Sequence, residues 1–150
     1  MTVTIPHMTR FLLSLNQAVD TVFAALNQAC RGEIWVPAAP SATVIAIAKS
    51  LIGGRSIDIL ETGIRPGEKI HEIMVSEEEA GHCVQRGDYY AILPMLPELQ
   101  PNNDYEPALN KEFSSADRIL NEAETRALLQ AHGLLVEQVQ TVSAGDELLR

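Results

Sequence analysis

Proline and glycine interrupt this sequence so often that only short helices and strands fit between them. The chain has 8 prolines and 9 glycines in 150 residues. Proline cannot donate a hydrogen bond to a sheet, and glycine after a helical pattern is typical of a helix end. The strand-like segments between these interruptions are few and short, at residues 3–5, 33–36, 56–60 and 88–93. The sheet that they build must therefore be small.

Helical segments alternate with these strands, which predicts an α+β (mixed α/β) domain with a small sheet and packed helices. The clearest helix begins at Ser14, because Ser14 and Gln17 form the Ser-x-x-Gln pattern of a capping box. Apolar residues recur behind it at helical spacing, namely Leu15, Val19, Val22, Phe23 and Leu26. Further helices are predicted from Ser41 to Leu51, at residues 76–79, and from Asn121 to about Ala131.

Length and composition indicate one folded domain rather than a disordered chain. Apolar residues make up 46% and charged residues 21% of the sequence, as in ordinary globular proteins. We assign residues 1–143 to this domain and expect residues 144–150 to form a frayed tail. The longest apolar runs, such as residues 44–48, are too short to span a bilayer. The first ten residues lack the pattern of a secretory signal.

Charge and cysteine content limit the function further. A net charge of −9 excludes a broad cationic surface for nucleic acid, although it leaves room for a local basic pocket. Cys30 and Cys83 form no C-x-x-C pair, which indicates reduced thiols in the cytoplasm. Each is more simply interpreted as a small core residue than as a redox centre. The histidines and cysteines show no zinc-ligand spacing, so we expect no metal.

The segment at residues 63–72, Gly-Ile-Arg-Pro-Gly-Glu-Lys-Ile-His-Glu, is the most specific candidate for chemistry. Pro66 suits the first position of a helix, where free N–H groups attract anions. Arg65 could grip two phosphate oxygens with its planar fork, and Glu68 could accept hydrogen bonds from a sugar diol. A surface turn in which Arg65 pairs with Glu68 or Glu61 explains the spacing equally well.

Arg10 is a second basic candidate. It lies at the start of an extended segment, just before the helix that Ser14 caps. From there it could reach the same phosphates from the other side. A lone arginine in such a position is, however, more often a solvated charge.

Several motifs occur together in an order that resembles a known family. They are Met-Thr-Arg-Phe (8–11), Ser-Leu-Asn-Gln-Ala-Val-Asp (14–20), Gly-Glu-Ile-Trp-Val-Pro (32–37), Pro-Ser (40–41), the segment 63–72, Met-Val-Ser-Glu-Glu (74–78), Asp-Tyr-Tyr (88–90) and Glu-Phe-Ser-Ser (112–115). The chain resembles the C-terminal half of bacterial UDP-N-acetylglucosamine 4,6-dehydratases (inverting) and related capsular-polysaccharide nucleotide-sugar epimerases. These are extended short-chain dehydrogenases/reductases. The resemblance covers roughly residues 4–134.

The resemblance implies a C-terminal domain that closes over a UDP-sugar, specifically a UDP-N-acetylhexosamine. It implies that Arg10 and Arg65 hold the diphosphate and that Glu68 meets the ribose hydroxyls. It further implies that Met8 and Thr9 line the nucleotide pocket. The parent family acts in polysaccharide biosynthesis as lyases or isomerases and uses NADP or NAD.

The catalytic motifs of that family are not present in this sequence. The glycines contain no Gly-x-Gly-x-x-Gly spacing, and no tyrosine is followed four residues later by lysine. We therefore expect no catalytic residue, no bound NAD(P) and no activity from this chain alone. It looks like half an enzyme, an excised piece or a gene fragment, whose Rossmann domain would be a partner in trans.

A stand-alone interaction or oligomerisation module is the alternative hypothesis. An isolated half would expose the apolar surface that normally packs on the Rossmann domain, and such a surface favours association. We therefore expect a homodimer or a complex with another chain.

Overall fold

The computed structural model describes residues 1–100 and 104–135. Within these ranges ten strands, each of four residues or fewer, accompany four α-helices. The strands are β1 (Thr2–Val3), β2 (Thr9–Phe11), β3 (Ile34–Pro37), β4 (Ser41–Thr43), β5 (Leu60–Glu61), β6 (Ile73–Val75), β7 (Cys83–Arg86), β8 (Tyr89–Ile92), β9 (Phe113–Ser114) and β10 (Ile119–Leu120). The helices are α1 (Leu15–Gln28), α2 (Val44–Ile52), α3 (Glu77–Ala80) and α4 (Glu122–Ala131), with a 3₁₀ turn at Pro97–Leu99. The predicted mixed fold with small sheets is confirmed.

The strands form two three-stranded sheets and two strand pairs. One sheet has the order β3-β8-β7 and is antiparallel throughout. The other has the order β10-β4-β2, in which β4 runs antiparallel to β2 and parallel to β10. The pair β6-β9 is antiparallel and the pair β1-β5 is parallel. Arg10 faces Ala42 in the β2-β4 register.

The predicted helix starts at Ser14, Ser76 and Asn121 are confirmed, and each is a complete capping box. At the first, the Gln17 N–H donates to Ser14 Oγ at 3.2 Å, and the Ser14 N–H donates to Gln17 Oε1 at 3.0 Å. These bonds satisfy backbone donors that a helix start leaves without partners. Local sequence alone therefore sets where three of the helices begin.

The second helix begins later than predicted. Ser41, expected as its cap, lies in β4 instead, and Thr43 caps α2 by accepting from the Ala46 N–H at 3.2 Å. Ser41 is buried, and its hydroxyl donates to the Arg118 carbonyl at 2.9 Å. This partner lies 77 positions away, so a long-range bond holds Ser41 in the strand.

The remaining predictions of strands and ends vary in accuracy. The strands predicted at 33–36 and 88–93 correspond to β3 and β8, which pair with each other. The segments 3–5 and 56–60 contribute less than predicted, because β1 and β5 pair over only two residues each. The frayed tail expected at residues 144–150 lies outside the described residues. No described helix is long and apolar enough to cross a membrane.

The main core cluster lies between the β3-β8-β7 sheet and the β6-β9 pair. Its buried members are Val36, Val75, Cys83, Ile92 and Phe113. The Phe113 ring packs against Phe11 and Tyr90, with ring centroids 5.1 Å apart in both pairs. Tilted and edge-on aromatic pairs of this kind add to the stabilisation from burial. They connect β2, which carries Arg10, to the rest of the core.

Helix α1 forms as predicted but contributes no buried residue. Leu15 is 81% exposed and Leu26 is 75% exposed. The rest of the predicted stripe, Val19, Val22 and Phe23, is exposed as well. We call these five residues the α1 apolar face. An amphipathic helix normally gains its stability by packing such a face, and the described residues leave this one open.

The two cysteines differ in their surroundings. Cys83 is buried, as predicted, and burial, with a smaller contribution from the nearby Glu79 carboxylate, raises the pKa of its thiol to about 11. Cys30 was expected in the core but is exposed, because the chain leaves α1 there and turns toward β3. Only Cys30 is therefore accessible to a thiol reagent in the folded chain.

Thiol reactivity checks this assignment. We expect one equivalent of thiol to react rapidly with Ellman's reagent at pH 8 in the native chain. The second thiol should react only in denaturant, because in the native chain Cys83 is both buried and protonated. The variant Cys30→Ser should abolish the rapid phase. A rapid phase that survives in Cys30→Ser would contradict the burial of Cys83.

Candidate functional site

The segment at residues 65–68 is a β-turn and not the helix start that the sequence predicts. The Glu68 N–H donates to the Arg65 carbonyl at 3.1 Å, and Gly67 has a φ of +86°. Proline at the second position and a positive-φ glycine at the third are typical of a type II turn. Pro66 sets φ equally well for a turn or a helix, and Gly67 decides between them. The free helix N–H groups expected there are consequently not formed.

Glu68 folds back on its own turn. Its Oε2 accepts a hydrogen bond from the Arg65 N–H at 3.1 Å, while the exposed Arg65 side chain forms no ion pair with the described residues. Glu68 Oε1 has no hydrogen-bond partner among them. A Cβ added at Gly67 would meet nothing within 4 Å, so this side of the turn is open. The turn thus carries an exposed guanidinium and a carboxylate that has one oxygen free among the described residues.

Arg10 lies against the segment that follows this turn. Its Nη1 donates to the carbonyl oxygens of Thr9 at 2.7 Å, Lys69 at 3.1 Å and Ile70 at 3.4 Å. The same nitrogen is 3.7 Å from Glu72 Oε1. The Arg10 side chain is 32% exposed. Arg10 is therefore held by one nitrogen, and the rest of its guanidinium makes no hydrogen bond with the described residues.

Met8 and Thr9 precede Arg10 in the chain and are fully buried. Met8 Sδ accepts from the Thr4 hydroxyl at 2.8 Å, and the Met8 carbonyl accepts from the Val44 N–H at 2.8 Å. The Thr9 N–H donates to the Ile70 carbonyl at 3.0 Å, which fixes β2 beside the 63–72 segment. The structure thus brings Met8, Thr9 and Arg10 to the segment that contains Arg65 and Glu68.

A buried polar junction joins these segments, and sequence reasoning did not find it. Thr9 Oγ1 lies 2.8 Å from His71 Nδ1 and 2.6 Å from Ser115 Oγ. The Glu72 N–H donates to Ser115 Oγ at 2.9 Å, and the Ser115 N–H donates to the Glu72 carbonyl at 2.8 Å. Thr9 and Ser115 are 106 positions apart, so local spacing gives no signal for this contact.

Two cavities lie outside the polar junction and the 63–72 segment, and sequence reasoning missed them as well. They measure about 400 and 520 Å³ and share Ala38, Tyr90 and Arg118 in their walls. Asp117 lines the first and Asp20 lines the second. Among the described residues no group of three or more histidine, cysteine, aspartate or glutamate side chains is placed to hold a metal ion.

The junction predicts a specific loss of stability. Replacing Thr9 with valine keeps the volume but removes the hydroxyl that His71 and Ser115 share, so buried polar atoms lose a partner. We expect the free energy of unfolding in urea to fall by ~1–3 kcal/mol. Thr2→Val, the same exchange at an exposed position, is the control and should stay within ~0.5 kcal/mol of the parent chain. Equal losses of stability in Thr9→Val and Thr2→Val would contradict a stabilising role for the Thr9 hydroxyl.

Comparisons with known proteins agree with the motifs. A family model described as "Polysaccharide biosynthesis protein" matches residues 1–94. The UDP-N-acetylglucosamine 4,6-dehydratase (inverting) of Campylobacter jejuni serotype O:2 is 36% identical over 103 residues, which is 69% of this chain and 30% of that protein. The UDP-glucose 4-epimerase of Rickettsia typhi is 34% identical over 149 residues, covering 93% of this chain and 43% of that protein. The Rickettsia canadensis epimerase is 40% identical over 94 residues, covering 61% and 28%.

A solved structure shows the same fold. The X-ray structure of Pen from Bacillus thuringiensis superposes with a TM-score of 0.77 at 26% identity, covering 90% of this chain and 42% of that one. The chain thus spans less than half the length of these relatives. The family match over residues 1–94 confirms the resemblance drawn from the motifs. The chain belongs to the polysaccharide biosynthesis protein family, among the extended short-chain dehydrogenases/reductases.

Proposed function

We propose that this chain is the nucleotide-sugar-binding part of a polysaccharide-biosynthesis 4,6-dehydratase or epimerase, and that it takes a UDP-N-acetylhexosamine in the cytoplasm. The observation that carries the proposal is the position of Arg10 against residues 69–72, which directly follow the turn that contains Arg65 and Glu68. The names of the relatives specify UDP-sugars as their substrates. The two arginines supply the cationic donors that a nucleotide diphosphate requires.

Arg10 is preorganised for an anion. Three carbonyl oxygens and Glu72 hold its Nη1, so its conformation is fixed before any ligand arrives. Its Nε and Nη2 remain available for phosphate oxygens. Because little side-chain entropy is then lost on binding, such an arginine contributes more to affinity than a mobile one.

Arg65 and Glu68 complete the proposed site from the open side of the turn. The Arg65 guanidinium is exposed and forms no ion pair with the described residues. Two of its nitrogens can therefore donate to the diphosphate together. Glu68 Oε1 can accept from the ribose hydroxyls while Oε2 keeps the turn closed. Rotation of Arg65 toward Arg10 would form the two-sided clamp.

Met8 and Thr9 belong to the proposal as the floor of the nucleotide pocket. Both side chains are buried, so they act here by anchoring the strand that carries Arg10. The Thr9 carbonyl accepts directly from Arg10 Nη1 at 2.7 Å. The Met8 carbonyl ties the same strand to α2 through Val44. Together they keep β2 and its arginine in place.

The chemical steps belong, in this proposal, to a Rossmann domain supplied in trans. That domain would carry the NAD(P) and the acid/base residues, and this chain alone would have neither cofactor nor turnover. Stoichiometric NAD(P) in the purified chain would refute this division of labour. Under the proposed division, the site formed by Arg10, Arg65 and Glu68 acts in substrate binding only.

Calorimetric titration with UDP tests the site. Arg65→Ala should weaken UDP binding by ~1.5–3 kcal/mol, roughly tenfold to a hundredfold, because it removes a charge-assisted contact to phosphate. Glu68→Gln should cost less, since the amide oxygen can still accept from the Arg65 N–H while the amide NH2 group donates to a ribose hydroxyl oxygen. Higher salt should weaken binding, because the contacts are partly exposed.

Lys69→Ala is the matched control. The structure uses only the backbone carbonyl of Lys69 in holding Arg10, so removing its exposed side chain should change affinity little. Uridine, which lacks phosphate, should show no difference between Arg65→Ala and the parent chain. The proposal fails if millimolar UDP gives no heat that Arg65→Ala removes, or if Lys69→Ala weakens binding equally.

The α1 apolar face favours a second candidate function, an interaction or oligomerisation module. Five exposed apolar side chains at helical spacing form a continuous stripe, as residues do that pack against another helix or sheet. We propose that this stripe docks the Rossmann domain where it is present and pairs two copies of this chain where it is not. The nucleotide site does not depend on this contact.

Light scattering distinguishes the monomer from the proposed dimer of the isolated chain. We expect a dimer of the isolated chain at high concentration, and Phe23→Lys should shift it to monomer because the charge would be buried in the interface. Leu96→Lys, an exposed apolar position outside α1, should leave the dimer intact. A parent chain that stays strictly monomeric would count against pairing through α1, as would equal effects of the two substitutions.

A further inference from the structure

Helices α2 and α4 pack against each other, and a cavity of about 360 Å³ opens beside the C-terminal end of α2. Lys49 Nζ and Glu122 Oε2, 3.2 Å apart, connect the helices at one point along this seam. Arg126 and Gln130 follow Glu122 at intervals of four residues, so they share its face of α4. Both line the cavity.

Gly53 ends α2 and lets Arg126 come close to the chain. Its φ is +58°, in the left-handed region that favours glycine. Arg126 Nη1 lies 3.8 Å from the position that a Cβ on residue 53 would occupy. The Arg126 side chain forms no ion pair with the described residues, unlike Lys49 in the same seam. Its charge is therefore available to a ligand.

Arg55 covers the backbone groups that would repel an anion here. The last carbonyls of a helix carry partial negative charge. Arg55 Nε donates to the Ile52 carbonyl at 3.1 Å, and its Nη2 donates to the Leu51 carbonyl at 2.6 Å. The cavity wall at the end of α2 thus presents the guanidinium rather than bare carbonyls.

Ser50 provides an independent observation. It lines the cavity and is 4% exposed, and its Oγ is the one buried side-chain oxygen or nitrogen of the described residues that has no hydrogen-bond partner. A buried hydroxyl without a partner is costly, and such groups often mark a missing ligand or water. No aspartate or glutamate is among the described residues that line the cavity, although the chain carries 20 of them.

We propose that this cavity binds the phosphate group of a small metabolite. Arg126 and Arg55 would supply the charge, and Gln130 and Ser50 would add neutral hydrogen-bond donors. The site is separate from the proposed nucleotide site, which involves β2 and the 63–72 segment. A phosphate fits this donor set better than a carboxylate, because it offers three oxygens and up to two negative charges to two guanidinium groups.

Residue-resolved NMR with inorganic phosphate tests the proposal. At constant ionic strength, phosphate should cause saturable shifts of the Gly53, Gly54 and Gln130 amide signals. Arg126→Gln should weaken this binding roughly tenfold or more, as expected when a charge-assisted hydrogen bond is lost. Arg31→Gln, the same loss of charge at an exposed arginine outside the cavity, should leave the affinity unchanged. Acetate should bind more weakly than phosphate.

Ser50→Ala gives a second readout. It should weaken phosphate binding severalfold while raising the thermal midpoint of the ligand-free chain, because the unsatisfied hydroxyl is gone. A purely structural serine would leave phosphate affinity unchanged. The proposal is overturned if phosphate gives no saturable shifts at these amides, if shifts appear only in the 63–72 segment, or if Arg126→Gln and Arg31→Gln weaken binding equally.

Discussion

The Thr9 hydroxyl is the contact on which the arrangement of this domain depends. It meets His71 Nδ1 and Ser115 Oγ, and Ser115 in turn accepts from the Glu72 N–H. If His71 carries its proton on Nε2, the donors run in one direction from Glu72 through Ser115 and Thr9 to His71. Every hydroxyl then has a partner, which makes a buried polar network stabilising rather than costly. Three segments far apart in sequence are joined at this point.

The basic side chains derive their placement from that junction. Arg10 follows Thr9 directly, and its Nη1 reaches the carbonyls of Lys69 and Ile70 because the junction holds β2 against them. The turn at residues 65–68 directly precedes Lys69 and Ile70, so the position of these two residues also sets the position of the Arg65 backbone. A chain of net charge −9 thus places two cationic side chains, Arg10 and Arg65, along one short segment. Local placement of charge, not overall charge, supports the proposed anion site.

Sequence predicted what is decided locally. The helix starts at Ser14, Ser76 and Asn121 were all predicted, because the capping contacts that fix them need only residues three apart. Ser41 was misassigned because its partner, Arg118, lies across the chain, and Pro66 because proline begins turns and helices alike. The motifs identified the family, while the junction of Thr9 with Ser115 and the cavity beside Ser50 depend on tertiary packing that no spacing encodes.

We propose that Arg10 and Arg65 act on one ligand. Arginine side-chain Nε–Hε signals report each guanidinium separately, and a titration with UDP can follow both in one sample. We expect the Arg10 and Arg65 signals to move together and to give the same dissociation constant. Movement of only one signal, or two signals with different constants, would contradict a shared diphosphate site.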